Sequence, residues 1–364
     1  MAGERVLDAV FCEKKNLICL SHASCLSGKK AETSAPLSHK FICCVASIVS
    51  RSALWRGNFY RATGKPPLSK SNVRWYSEYE LSRQVLEFLP QIIQLARDEN
   101  GGGEELRNQL IEIYDRPAND EYSSGAVELQ AELHMLRDTV HELALLCYNS
   151  EGDAPMLCVT AYENWQNVLK HLKAAAGIRG NPVLPSVTNF AATIFPDDQL
   201  AQRKLVQLTA SKVTAIYEKM FSDTAVRIIE TLNTLRACRL LNYQFICDNH
   251  IDTLYDELVW IRQIPMASHI YNDLSDALQE FKAVADRADR TLTHWGFWVK
   301  YCIRLPVWYS VAAEAALVVV SSASTERMFS LLSAQIHDNQ SCALADYQTN
   351  SVILRYNKNQ LARK

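Results

Sequence analysis

The sequence predicts a mainly α protein, and three observations carry that expectation. Leu129, Leu133, Leu136, Val140, Leu143 and Cys147 step by 4, 3, 4, 3, 4, which places them on one helix face. Leu81, Val85, Phe88, Leu89, Ile92 and Leu95 show helical spacing over a second long stretch. Strand-like runs, by contrast, are short: Leu17 to Leu20, and the β-branched Val318, Val319 and Val320.

Taken in order, Leu17 to Leu20 reads as a buried strand running into a helix. Cys19 and His22 form a C-x-x-H, with Cys12 and Cys25 nearby. Without a second ligand pair at zinc spacing the metal signal is weak, and these are read as core residues in preference to zinc ligands. Residues 39 to 60 read as a mostly buried helix, ended by Gly64-Lys65-Pro66-Pro67. A helix follows from Glu78 to about Asp98, kinked at Pro90. Gly101-Gly102-Gly103 is a connector and no phosphate loop, since no Gly-Lys-Ser/Thr follows it. Glu104 to Tyr114 is a short helix. The seam from Leu129 to Cys147 spans three heptads, which suits a packed helix in a bundle. Tyr162 to Ala176 is helical, and Gly177 to Pro196, rich in Gly, Pro and Asn, reads as a loop. Helical patterns resume over Gln199 to Phe221, Asp223 to Leu241, His250 to Ile261, Ser268 to Ala288 and Trp308 to Ala316, with a last helix within Ser341 to Asn359.

Composition narrows the function classes. The 364 residues are 48% hydrophobic and 21% charged, ordinary for a chain with a sizeable core. The apolar run Ala312 to Val320 is short and interrupted by Glu314, so no membrane span is predicted. Glu4, Asp8, Glu13, Lys14 and Lys15 break up any signal-peptide core. Eleven cysteines, an odd number, suit reduced thiols in nucleus or cytoplasm. The net charge of −2 hides a division: residues 1 to 75 hold twelve Lys/Arg against four Asp/Glu, and residues 76 to 164 hold five against eighteen. That asymmetry is compatible with a nucleic-acid-facing end and a solvated helical body.

The most informative stretch is Val319 to Leu332. Small and hydroxylated residues (Ser321, Ser322, Ala323, Ser324) stop the valine run and offer N-caps, so Glu326 falls in the first turn of a helix. Two readings stand side by side. Glu326 complements the positive end of the helix dipole, or it is a metal-ligand carboxylate.

The string Ser322-Ala323-Ser324-Thr325-Glu326-Arg327-Met328-Phe329-Ser330 resembles the signature of the C-terminal dimerisation region of hAT-superfamily DNA transposases. Trp295 to Lys300 and Leu305-Pro306-Val307-Trp308 resemble the segments that precede it there. Asp346-Tyr347 and Leu354-Arg355-Tyr356-Asn357-Lys358 resemble the end of one subgroup. Cys19-Leu20-Ser21-His22 and Arg74-Trp75-Tyr76-Ser77 are similar to upstream motifs of the family, in the family's order. Two departures are mild: Val320 stands where the family usually has Pro, and Thr325 where Ser or Ala precedes the glutamate.

The resemblance implies an all-helical insertion domain joined to a partial RNase H-like α/β core. Residues 1–73 would be a core remnant with the C-x-x-H, 74–289 the all-α insertion, and 290–364 the dimerisation region completing the core. Glu326 matches the last of three metal-binding carboxylates that hold two Mg²⁺ ions in an intact family member. The two aspartates have no match in this sequence, and the family's zinc finger has none either. One carboxylate cannot position two hard octahedral cations, so the expectation is a truncated, catalytically inactive protein with no cofactor and no bound metal. Its expected partners are a second copy of itself and DNA, and its expected compartment is the nucleus. Trp308, Met328, Phe329, Leu332, Leu344 and Tyr347 are the residues for dimer interface or core, roles that sequence does not separate. Arg74 would contact phosphate and Trp75 would stack on a base, or Trp75 would be a helix-entry core residue. The competing class is a helical protein–protein interaction module with no nucleic-acid role, organised on the Leu129 to Cys147 seam.

Overall fold

The computed structural model describes residues 20–69, 76–98, 103–117, 124–150 and 156–318, and every regular element among them is helical. The first helices are α1 (Leu20–Ser34), α2 (Pro36–Arg51) and α3 (Ala53–Thr63), then α4 (Tyr76–Glu87), α5 (Leu89–Arg97) and α6 (Glu104–Tyr114). Next come the long α7 (Gly125–Ser150), α8 (Cys158–Ala175), α9 (Pro185–Ile194) and α10 (Gln199–Glu218). A π-helical segment, Lys219–Thr224, leads through the turn Ala225–Arg227 into α11 (Ile229–Arg239), α12 (Tyr243–Asp248) and α13 (Ile251–Leu258). After a 3₁₀ segment, Val259–Gln263, the described chain closes with α14 (Pro265–His269), α15 (Tyr271–Asp276), α16 (Leu278–Asp286), α17 (His294–Tyr301) and α18 (Pro306–Ala315).

Several sequence-based expectations need correction. Leu20 opens α1 and is no strand residue, because a short apolar run suits a buried helix as well as a strand. The expected single helix over 39 to 60 is two helices bent by 112°. The break falls at Ser52, whose extended backbone lets its Oγ accept from Trp55 N at 3.1 Å and start α3. Gly64, with φ of 71°, ends α3 in the left-handed conformation that glycine adopts without penalty. Pro90 marks a full break, with α4 stopping at Glu87 and α5 starting at Leu89. The expected loop from Gly177 to Pro196 contains α9, since Pro185 sits in its first turn, where a missing N–H costs nothing. No strand occurs among the described residues, so the described fold is mainly α. The expected β part of an RNase H-like core lies outside them, apart from Val318 and Leu20.

No single described helix is long and apolar enough to cross a membrane. The chain divides into two units, one built from Ala23–Cys147 with Glu163–Leu232, the other from Met1–His22, Tyr148–Tyr162 and Asn233–Lys364.

In the first unit α6 packs along α2 and against α5, and α9 lies along α10. All six seam residues of α7 are buried, none more than 7% exposed. Ala131 of α7 joins Phe190, Ala191 and Leu205 in one apolar cluster. The other groups of α7 finish remote helices. Glu132, 2% exposed, accepts from Ser38 N at 2.8 Å in the first turn of α2 and from Lys212 Nζ at 2.6 Å. Asp138 accepts from Ser186 N at 2.9 Å and Val187 N at 3.1 Å, capping α9. Both carboxylates thus sit where four orphan N–H groups and a positive dipole end favour an anion. Burial raises the Asp138 pKa above the usual carboxylate range, and those backbone N–H groups oppose the rise.

In the second unit Arg236 grips Glu257 with two hydrogen bonds of 3.0 and 2.7 Å, and Arg239 adds a third of 2.7 Å. The guanidinium of Arg236 lies 4.1 Å from the Trp260 ring centre and that of Arg239 4.3 Å from Phe245. Burial opposes ionisation of Glu257, yet the two guanidinium groups hold its pKa below the usual value.

Candidate dimerisation region

The described residues 273–318 are organised by aromatic side chains. Phe281 on α16 is fully buried and touches Phe297, Trp298 and Trp308 at ring-centre distances of 6.0, 5.1 and 4.9 Å. Phe297 stacks on Tyr243 at 4.5 Å with the rings nearly parallel, and Trp298 meets Phe297 edge-on at 5.2 Å. Such pairs add about 0.5–1.5 kcal/mol each beyond the area they bury.

Two polar tips of the cluster bond to the backbone. Trp298 Nε1 donates to Leu241 O at 3.0 Å, and Tyr243 Oη donates to Leu292 O at 2.8 Å. Local capping sets the helix starts around the cluster. Thr293 Oγ1 accepts from Gly296 N at 3.0 Å to begin α17, Asn242 Oδ1 accepts from Gln244 N at 3.0 Å to begin α12, and Pro306 opens α18.

Behind α18 the polar side chains are buried. Glu314, 8% exposed, accepts from Met266 N at 3.2 Å, and burial raises its pKa despite that hydrogen bond. Cys158 Sγ donates to Ala315 O at 3.2 Å, and Cys238 is held well above the usual thiol range by its hydrogen bond to Cys158 and by burial. The described cysteines are free thiols.

The outer side of the same region is apolar in places. Val299 is 54%, Leu317 56% and Ile303 94% exposed.

Of the residues singled out by sequence as site candidates, Cys25 is described, partly buried on α1, and so is Trp308. Trp308 is 0% exposed and lies in the core against Phe281, with no acceptor for its Nε1 among the described residues. Glu326, Met328, Phe329, Leu332, Leu344 and Tyr347 lie outside the described residues, as do Arg74, Trp75 and Cys19; so does the His22 side chain. Phe281 and Tyr243 were missed by sequence reading. The signal for Phe281 was present in the helical spacing of Leu278, Phe281 and Val284, which the structure buries together.

Residues 273–357 match the hAT family C-terminal dimerisation region. The match covers under a quarter of the 364-residue chain and supports a transposase-related protein capable of dimerisation. No curated protein and no solved structure matches the chain.

Proposed function

We propose that the protein is a transposase-derived homodimer that contacts DNA and does not itself carry out strand transfer. The match of residues 273–357 to a dimerisation region carries the reading. The exposure of Val299, Ile303 and Leu317 within that stretch supports it, because exposed aliphatic side chains gain by being covered.

The finer parts rest on the family resemblance. Arg74 and Trp75 are the proposed DNA contacts, at the basic end of the charge division, and the proposed compartment is the nucleus. Residues 290–364 are proposed as the dimerisation region that completes a partial RNase H-like core. Glu326 is the one carboxylate matched to the family's metal-binding set. A two-Mg²⁺ centre needs several oxygen ligands, so these 364 residues on their own are proposed to lack that chemistry.

The reading of the chain as an interaction module organised on the α7 seam has less support. All six seam side chains are already buried, which leaves none of them for an outside partner.

Sedimentation of the full chain at micromolar concentration tests self-association: a dimer is expected, and a strict monomer overturns the reading. Salt-dependent retention on a DNA resin, weakened by Trp75→Ala, tests the DNA contact separately. Retention that Trp75→Ala leaves unchanged removes that residue from the proposal.

A further inference from the structure

We propose that Glu32, His39 and Glu78 bind one divalent transition-metal ion of the zinc class. The three come from the last turn of α1, the first turn of α2 and the first turn of α4, and their ligand atoms all lie within 4.8 Å of one another. His39 Nδ1 is 2.6 Å from Glu78 Oε1 and 3.9 Å from Glu32 Oε2.

That geometry is close to a tetrahedral site. Ligand atoms at about 2.0–2.2 Å from zinc stand about 3.4 Å from each other. The observed 2.6 and 3.9 Å bracket this value, so side-chain shifts of under about 1 Å admit the ion.

The donor set selects the class of metal. One imidazole nitrogen with two carboxylate oxygens suits zinc and its neighbours, whereas Mg²⁺ and Ca²⁺ prefer six or more oxygens. Charge is compatible with it: Glu78 is 5% exposed, and with Glu32 it sets two carboxylates around His39, a group that a divalent cation would neutralise.

Two further features favour binding. His39 Nε2 lies 3.8 Å from Cys43 Sγ, one helical turn on, which holds the ring with Nδ1 towards the carboxylates, as an outer-shell partner does. A cavity of about 10 Å³ adjoins the ligands, walled by Ala31, Ala35, Leu136 and Val140. It has room for about one water, the fourth ligand of a site with three protein ligands. The ion would tie the α1–α2 junction to α4, far from the dimerisation region in sequence. This proposal does not depend on dimerisation or on DNA binding.

The test is titration of the EDTA-treated full chain with Zn²⁺ by calorimetry, with Co²⁺ as a spectroscopic probe. A binding event is expected that His39→Ala, Glu78→Gln and Glu32→Gln each weaken at least about tenfold. Its Co²⁺ spectrum should lack a thiolate charge-transfer band, which separates this site from any that uses the cysteines. Glu32→Gln keeps the test sound should the more buried positions fail to fold, with circular dichroism showing that the helices are intact. Absence of zinc binding by the wild type, or a folded Glu32→Gln that binds as the wild type does, overturns the proposal.

Discussion

Helix α7 and the aromatic region of α16 to α18 solve the same problem in different ways. Around α7 the core is mostly aliphatic, and the helices it meets are finished by carboxylates that α7 itself supplies, Glu132 to α2 and Asp138 to α9. Around α16 the core is aromatic, and the starts of α17 and α12 are capped by their own flanking residues, Thr293 and Asn242, while Pro306 opens α18. Tertiary capping couples distant stretches of chain, so loss of one carboxylate frees the start of another helix. Local capping leaves the aromatic cluster as the main source of cohesion in its region.

The largest effect should come from removing the centre of that cluster. Phe281→Ala deletes a fully buried ring that contacts Phe297, Trp298 and Trp308. A loss of about 3–5 kcal/mol is expected in denaturant unfolding, the range for buried Phe→Ala changes. A loss below about 1 kcal/mol would mean that the aromatic groups do not cohere as one cluster.

A comparable but pH-dependent effect is expected on the α7 side. His134 Nδ1 lies 2.6 Å from Ser186 Oγ in the first turn of α9, and its ring stacks on Phe190 at 4.9 Å. Burial, helped by the nearby Arg137 charge, lowers its pKa from 6.5 to about 4. The folded state therefore binds this proton less readily than the unfolded state does. The stabilisation is complete above pH 6.5 and is lost as pH falls from 6.5 to about 4, with a ceiling of about 3 kcal/mol. Unfolding free energies measured between pH 7 and 4 should fall less steeply for His134→Gln than for the wild type. Parallel curves would show that His134 titrates normally.

The two regions also differ in how far sequence revealed them. The seam of α7 was readable because its apolar residues recur at a single period, and the structure buries all six. The bounds of α6, Glu104–Tyr114, followed from a glycine connector before it and the loss of pattern after it. Helix α9 was not readable, since Gly177, Pro182 and Pro185 look like loop residues and its cap, Asp138, lies 48 residues upstream of Ser186. The Glu32, His39 and Glu78 grouping was hidden for the same reason. Its members stand 7 and 39 residues apart, a spacing that no short motif captures, and only the fold brings them together. In the aromatic region the tryptophans were singled out by family resemblance, which placed Trp308 in a functional stretch without saying which way it faces.

The smallest stability effect is expected at Ile303, and it separates the inside of the aromatic region from its outside. At 94% exposure Ile303 contributes little packing, so Ile303→Asp should change the unfolding free energy by no more than about 0.5 kcal/mol. Its effect should fall on self-association. Covering an isoleucine by a second copy is worth about 1.5–3 kcal/mol, and losing that contact weakens the dimer by about tenfold or more. Sedimentation equilibrium of the wild type and of Ile303→Asp, read beside their denaturation curves, gives both quantities on the same samples. Unchanged stability with a weaker dimer places the interface on the side of α17 that carries Val299 and continues to Ile303. Unchanged stability with an unchanged dimer moves it elsewhere within residues 273–357. A large loss of stability would contradict the exposure of Ile303, and with it the division between a self-contained aromatic interior and an outer face open to a second copy.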